Sequence, residues 1–118
     1  MPQTEKNGDT LKRSTKTITI TKTLKLSCGV SLEQHDLVYE TYGHLNKAKN
    51  NAILICHALS GSHHAAGKDD NGNIGWWDNY IGPNKAIDTN KFCVVSLTNI
   101  GSCFGSTGPN TINPKTGK

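Results

Sequence analysis

Apolar and polar residues alternate from Thr17 to Leu26. Ile18, Ile20, Leu24 and Leu26 fall on one face, and Thr17, Thr19, Thr21, Thr23 and Lys25 on the other. A period of two predicts a strand, or the two strands of a hairpin, with one face in water. Lys22 interrupts the apolar face and predicts a bend or an edge, and Cys28-Gly29-Val30-Ser31 is turn chemistry. A second strand is expected from Asp36 to Tyr42, ending at Gly43. There Leu37, Tyr39 and Thr41 oppose Val38, Glu40 and Tyr42, so both faces carry bulk. His44 to Asn51 is a polar connection.

The pattern then changes. Ala52 to Cys56 is an unbroken apolar run, which predicts a strand buried on both faces, as in a sheet covered by helices. Phe92 to Leu97 is a similar run, and about 35 residues between the two suffice for the crossover that a parallel pair requires. Each run ends in a small, polar, glycine-containing loop. These loops are Ser60-Gly61-Ser62-His63-His64 and Gly101-Ser102-Cys103-Phe104-Gly105. Open α/β sheets place their ligands at such carboxyl ends. The stretch from Gly61 to about Lys91 reads as a long loop. Within it, Gly75-Trp76-Trp77-Asp78-Asn79-Tyr80-Ile81-Gly82 is long enough for a short helix. Its rings either pin the loop to the sheet or wall a pocket, and for at least one tryptophan the first reading is preferred.

The ends of the chain read differently. Residues 1–16 are polar, mixed in charge and without periodicity, and are expected to form a disordered tail ahead of an incomplete domain over residues 17–118. No amphipathic helix exceeds two turns, so the predicted sheet lacks its cover and the chain is expected to be truncated. Such a sheet exposes an apolar edge and is expected not to unfold cooperatively.

Composition narrows the classes. The 118 residues hold one domain at most, and 34% hydrophobic content is low for a compact α/β domain. The net charge of +4 is spread along the chain with no basic run interleaved with aromatics, which excludes a dedicated nucleic-acid module. No apolar run approaches membrane-spanning length. The four cysteines lack a C-x-x-C pair, and Cys56 and Cys93 lie in apolar runs, where a thiol behaves as a small hydrophobe. A reduced, cytoplasmic protein is expected.

Three chemistries compete for the loops. A metal site on Cys56, His57, His63 and His64 is disfavoured, because neither half has a zinc spacing and adjacent strand residues point to opposite faces. No G-x-S-x-G nucleophile elbow occurs in the sequence. Gly101-Ser102-Cys103-Phe104-Gly105 fits that frame with cysteine, and a Cys–His hydrolase would need His57, His63 or His64 beside the thiol. The following Ser106-Thr107-Gly108-Pro109 cannot start a helix soon, so Cys103 is preferred as a structural or pocket-wall residue. Third, if Ala52 to His57 is the third strand of a hydrolase-type sheet, the peptide groups around Leu59 stand where one donor of an oxyanion hole is found.

Taken together, several spaced motifs resemble the homoserine O-acyltransferase family. They are Glu40-Thr41-Tyr42-Gly43-x-Leu45-Asn46, Cys56-His57-Ala58-Leu59-Ser60-Gly61, Gly75-Trp76-Trp77-Asp78, Ile81-Gly82-Pro83 and Ile87-Asp88-Thr89. Gly105-Ser106-Thr107-Gly108-Pro109 and Ile112-Asn113-Pro114-x-Thr116-Gly117 complete the set, which runs in unbroken order from about Leu26 to Lys118. The resemblance implies an α/β-hydrolase fold, of which this chain holds the first strands of a mostly parallel sheet, truncated before the nucleophile elbow. It implies ping-pong transfer of an acyl group from acyl-CoA, as co-substrate, to the hydroxyl of L-homoserine in methionine biosynthesis, by a homodimer when full length. The backbone of Leu59 matches the family's oxyanion-hole donor, and the catalytic serine, aspartate and histidine lie outside this chain. His57, Ser60, Gly61, Trp76, Trp77 and Cys103 are the candidate pocket wall. No permanently bound cofactor, metal, nucleic acid or membrane partner is implied. Ser62-His63-His64-Ala65-Ala66-Gly67 leans towards succinyl-CoA over acetyl-CoA. Three alternatives remain open: an acetyl-specific relative, a serine-acylating relative, or a non-catalytic binding module that keeps the family's first strands.

Overall fold

Eight strands form in chain order among residues 11–118, the part of the chain that the computed structural model describes. They are β1 (Arg13–Ile20), β2 (Leu24–Lys25), β3 (Ser31–Leu32), β4 (His35–Tyr42), β5 (Ala52–Ile55), β6 (Ile81–Gly82), β7 (Ile87–Asp88) and β8 (Cys93–Leu97). The main sheet has the order β1-β4-β8-β5. β4 pairs antiparallel with β1 and β8, and β5 pairs parallel with β8. The predicted crossover between the two apolar runs is therefore present. β2 and β3 close the hairpin around Cys28-Gly29, and the chain bends at Lys22 as its break in the pattern implies.

Four details depart from the pattern. The tail boundary is too late, because β1 begins at Arg13, whereas residues 1–10 lie outside the described residues. Arg13 and Thr15 are polar, yet their side chains have partners on the neighbouring strand, which a single-strand pattern cannot reveal. The faces of β1 are also reversed. Thr15 and Thr17 pair with Glu40 and Val38 on the covered face, whereas Ile18 lies on the open one and is 48% exposed. β5 is an edge strand, not one buried on both faces: Leu54 is 60% exposed and the Cys56 thiol lies in solvent. Finally, Trp76 to Tyr80 form successive turns and no helix. Asp78 donates to the Gly75 carbonyl and Tyr80 to that of Trp77, which closes the chain too tightly to continue.

The core lies between one face of the sheet and the long loop. Tyr42, Ile55, Ala65, Ala66, Ile81 and Val94 form it, with Leu11, Ile53, Trp77 and Ile87 packed around them. Trp77 thus pins the loop, and Trp76 stacks outside it at 5.6 Å with its indole N–H on the Ser62 carbonyl. Beyond β8, the chain returns to finish the edge of β4. The Ser106 hydroxyl accepts from Val38 N and donates to the Thr98 carbonyl, while Thr107 N donates to the Asp36 carbonyl and the Thr107 hydroxyl accepts from Asp36 N. This satisfies backbone groups that β8 leaves unpaired.

Candidate functional site

Period-two alternation in β4 puts Val38, Glu40 and Tyr42 on the covered face, so a carboxylate enters the core side of the sheet. Glu40 is 2% exposed, and a buried charge is tolerated only when paired and hydrogen-bonded. One oxygen, Oε2, accepts from Arg13 Nη1 at 3.1 Å and from the Thr15 hydroxyl at 3.0 Å. The other, Oε1, accepts from the Tyr42 hydroxyl at 2.6 Å and from His64 Nδ1 at 3.1 Å. Tyr42 in turn accepts the backbone N–H groups of Ala65 and Ala66 at 2.9 and 3.2 Å. The carboxylate and phenol together dock the loop on the sheet.

The two neighbouring histidines have opposite electrostatics. Both nitrogens of His64 face acceptors, Nδ1 the Glu40 carboxylate and Nε2 the Asn73 carbonyl at 2.8 Å, an arrangement that favours the protonated ring. Burial opposes that charge, but the bonds to Asn73 and Glu40 and the carboxylate's field outweigh it and raise the His64 pKa. For Glu40, burial pushes the pKa up, and the bonds from Tyr42, His64 and Thr15 more than reverse it, leaving the group more acidic than usual. His63 goes the other way. Burial lowers its pKa, and Glu40's field does not compensate in the presence of the cations of His64 and Arg13. Tyr42 is held protonated by burial and by the adjacent carboxylate.

These shifts set a pH dependence. Glu40's contribution to stability is present above the ordinary carboxylate range and lost as pH falls through its lowered value. His64's is complete below the ordinary imidazole value and lost as pH rises through its raised one. His63 opposes His64, because its neutral form is the favoured one, and its penalty disappears as pH rises. Urea midpoints of the complete gene product that carries this sequence should therefore fall on the alkaline side of neutrality, and His64→Gln should flatten that limb. An unchanged limb in His64→Gln would show that the ion pair is solvated in the folded state.

Arg13, Thr15, Glu40, His63, His64, Asp69, Asp70 and Asn71 line a cavity of about 250 Å³ over the sheet's face. The predicted wall residues do not line it. Ser60 is exposed, and the Cys103 thiol lies in solvent with no hydrogen bond to His57, His63 or His64 among the described residues, so the Cys–His hydrolase arrangement is not formed. His63 and His64 lie in the loop that the sequence singles out, whereas Glu40, Arg13 and Thr15 carry no role in the sequence pattern. The available signal was the carboxylate at an inward position between Val38 and Tyr42.

His57, Leu59 and Gly61 form a separate structure at the end of β5. Gly61 N donates to the Ala58 carbonyl at 2.8 Å, closing a turn with Leu59 at its corner, fully exposed. His57 braces that turn. Its Nε2 accepts from Asn99 N at 3.0 Å, so the ring proton sits on Nδ1, which donates to the Ala58 carbonyl at 2.6 Å. Further along, the Thr98 hydroxyl accepts from His63 N at 2.8 Å. The loops after β5 and β8 are thus joined at two adjacent points.

No protein-family model matches the chain. Among curated relatives, homoserine O-succinyltransferase of Cellvibrio japonicus is 63% identical over 103 residues, which is 86% of this chain and 27% of that protein. The chain therefore spans about a quarter of the length of the curated relatives it matches. Among solved structures, homoserine O-acetyltransferase from Bacillus anthracis superposes with a TM-score of 0.76 at 38% identity, over 90% of this chain and 30% of its own. A crystallised esterase does so with a TM-score of 0.80 at 39% identity, over 91% and 31%. The chain accordingly has the architecture of the first part of an α/β hydrolase, and its sheet is mixed, antiparallel through β1, β4 and β8 and parallel between β8 and β5.

Proposed function

We propose that this chain, which over most of its length has the sequence of the homoserine O-acyltransferase family, is the oxyanion-hole part of an enzyme that transfers an acyl group from CoA to L-homoserine. The observation that carries this reading is the 63% identity over 103 residues to homoserine O-succinyltransferase of Cellvibrio japonicus. In the proposed reaction a serine outside these 118 residues attacks the thioester carbonyl, and the CoA thiolate leaves with a proton. The homoserine hydroxyl then attacks the acyl-serine, restoring the serine and releasing the O-acyl product. Each addition places negative charge on the carbonyl oxygen, and the Leu59 N–H is a fixed donor for it.

Succinyl-CoA is the proposed donor, in line with the curated relatives' names, with acetyl-CoA second. A homodimer, a place in methionine biosynthesis and a cytoplasmic setting complete the proposal as lesser parts, and serine is the alternative acceptor. Among the described residues no helix is long and apolar enough to cross a membrane. The test mixes the complete gene product that carries this sequence with L-homoserine and either acyl-CoA, and follows free thiol. Thiol release that needs homoserine is expected, faster with succinyl-CoA. The esterase likeness favours a second reading, hydrolysis of a small acyl ester. Thiol release or ester cleavage indifferent to homoserine would select it.

A further inference from the structure

We infer that His57 is a positioning residue for the oxyanion turn, acting through both ring nitrogens and touching no substrate; this rests on the acyl-transfer reading. A backbone donor stabilises a developing oxyanion only if its direction is fixed before the charge appears. Leu59 itself supplies no such restraint, because its side chain is fully exposed. The restraint comes from the residues on either side of it. The Ala58 carbonyl is held twice, by Gly61 N within the turn and by His57 Nδ1, so the peptide leading into Leu59 cannot rotate without breaking two bonds. The opposite edge of the same imidazole is anchored to Asn99 N, on the first residues after the neighbouring parallel strand. The turn is therefore referenced to β8 as well as to β5.

Packing supports the same arrangement. A Cβ on Gly61 would stand 2.8 Å from the His57 Cβ and 3.2 Å from the Ala58 carbonyl, so the turn closes directly over the base of the imidazole. No smaller or differently shaped side chain offers a donor to the turn and an acceptor to Asn99 at this separation. Asparagine can reach the Ala58 carbonyl but not Asn99. Glutamine can reach Asn99 but loses the bond to the turn. Each conservative variant thus keeps one half of the brace.

The experiment uses the complete gene product, assayed by homoserine-dependent thiol release with its preferred acyl-CoA, alongside thermal melts. His57→Leu is expected to lower kcat roughly tenfold to a hundredfold, as misplacement of a catalytic group does, with KM for homoserine within about twofold of the parent. His57→Asn and His57→Gln should each recover part of that loss. Parent-level kcat in His57→Leu overturns the inference, as does equal loss in all three variants. A fall in kcat matched by an equal rise in KM also overturns it. If His57→Leu fails to fold, the ordering of the asparagine and glutamine variants against the parent still decides, since parent-level kcat in both would refute the brace. Absence of homoserine-dependent release from the parent itself would instead remove the acyl-transfer reading, and this inference with it.

Discussion

Glu40→Ala should destabilise the protein by about 3–5 kcal/mol, the cost of removing one partner from a buried, hydrogen-bonded ion pair. The carboxylate is almost wholly buried and accepts four hydrogen bonds, from Arg13, Thr15, Tyr42 and His64. Truncation leaves His64 Nδ1 without its carboxylate partner and the Tyr42 hydroxyl without its shortest one, and it opens a void beside Val38. Arg13 retains access to water, so its loss counts for less. Glu40→Gln keeps the volume but sets an amide N–H₂ against two donors. Tyr42 can turn its proton to the His63 carbonyl at 3.1 Å, so a smaller loss of about 2–3 kcal/mol is expected there. Urea denaturation of the complete gene product at neutral pH measures both. A loss below about 1 kcal/mol for Glu40→Ala would mean that water already serves these groups, as it does at exposed pairs.

The same residue shows where sequence reading stopped. β4, β5 and β8 were legible because periodicity and apolar runs are local properties, and the parallel pairing followed from the length of chain between two runs. The β2–β3 hairpin was legible from turn residues. Glu40 was not, because its partners lie far off in sequence: Arg13 and Thr15 in a stretch that reads as polar tail, and His64 in a loop. Polar residues that satisfy one another across strands look individually like surface. Ala65 and Ala66 failed for the converse reason. Small residues between histidines and a glycine carry no burial signal, yet both are fully buried, because Tyr42 supplies the acceptor that their N–H groups need. In the site itself, the Leu59 turn was located from the strand before it. The brace from His57 to Asn99 depends on β5 and β8 being neighbours, which only the assembled sheet establishes.

The loop that carries Ala65 and Ala66 leads to the second large effect. Gly75→Ala should cost on the order of 3–5 kcal/mol or abolish folding, at the extreme of what single substitutions do. Residues 64–69 run antiparallel to residues 73–77. Trp77 N donates to the Ala65 carbonyl, Gly75 N to that of Gly67, and Asp69 N to that of Asn73. At Gly75 this ladder brings two backbones into direct apposition. A Cβ there would overlap the peptide joining Ala65 to Ala66, whose atoms are backbone and cannot swing aside. That peptide is fixed on its other side through Ala66 N on the Tyr42 hydroxyl, so relief would require breaking the docking that Glu40 and Tyr42 provide. The loop would lift, withdrawing Ala65, Ala66 and Trp77 from the core. Amide hydrogen exchange distinguishes this from a diffuse loss of stability. In Gly75→Ala, the amides of Ala65, Ala66 and Trp77 should lose protection first, while those of β4 and β8 stay slow in any molecule that remains folded. Parent-like protection at Ala65 and Ala66 would mean that the ladder absorbs a methyl group by shifting, and that the glycine is dispensable.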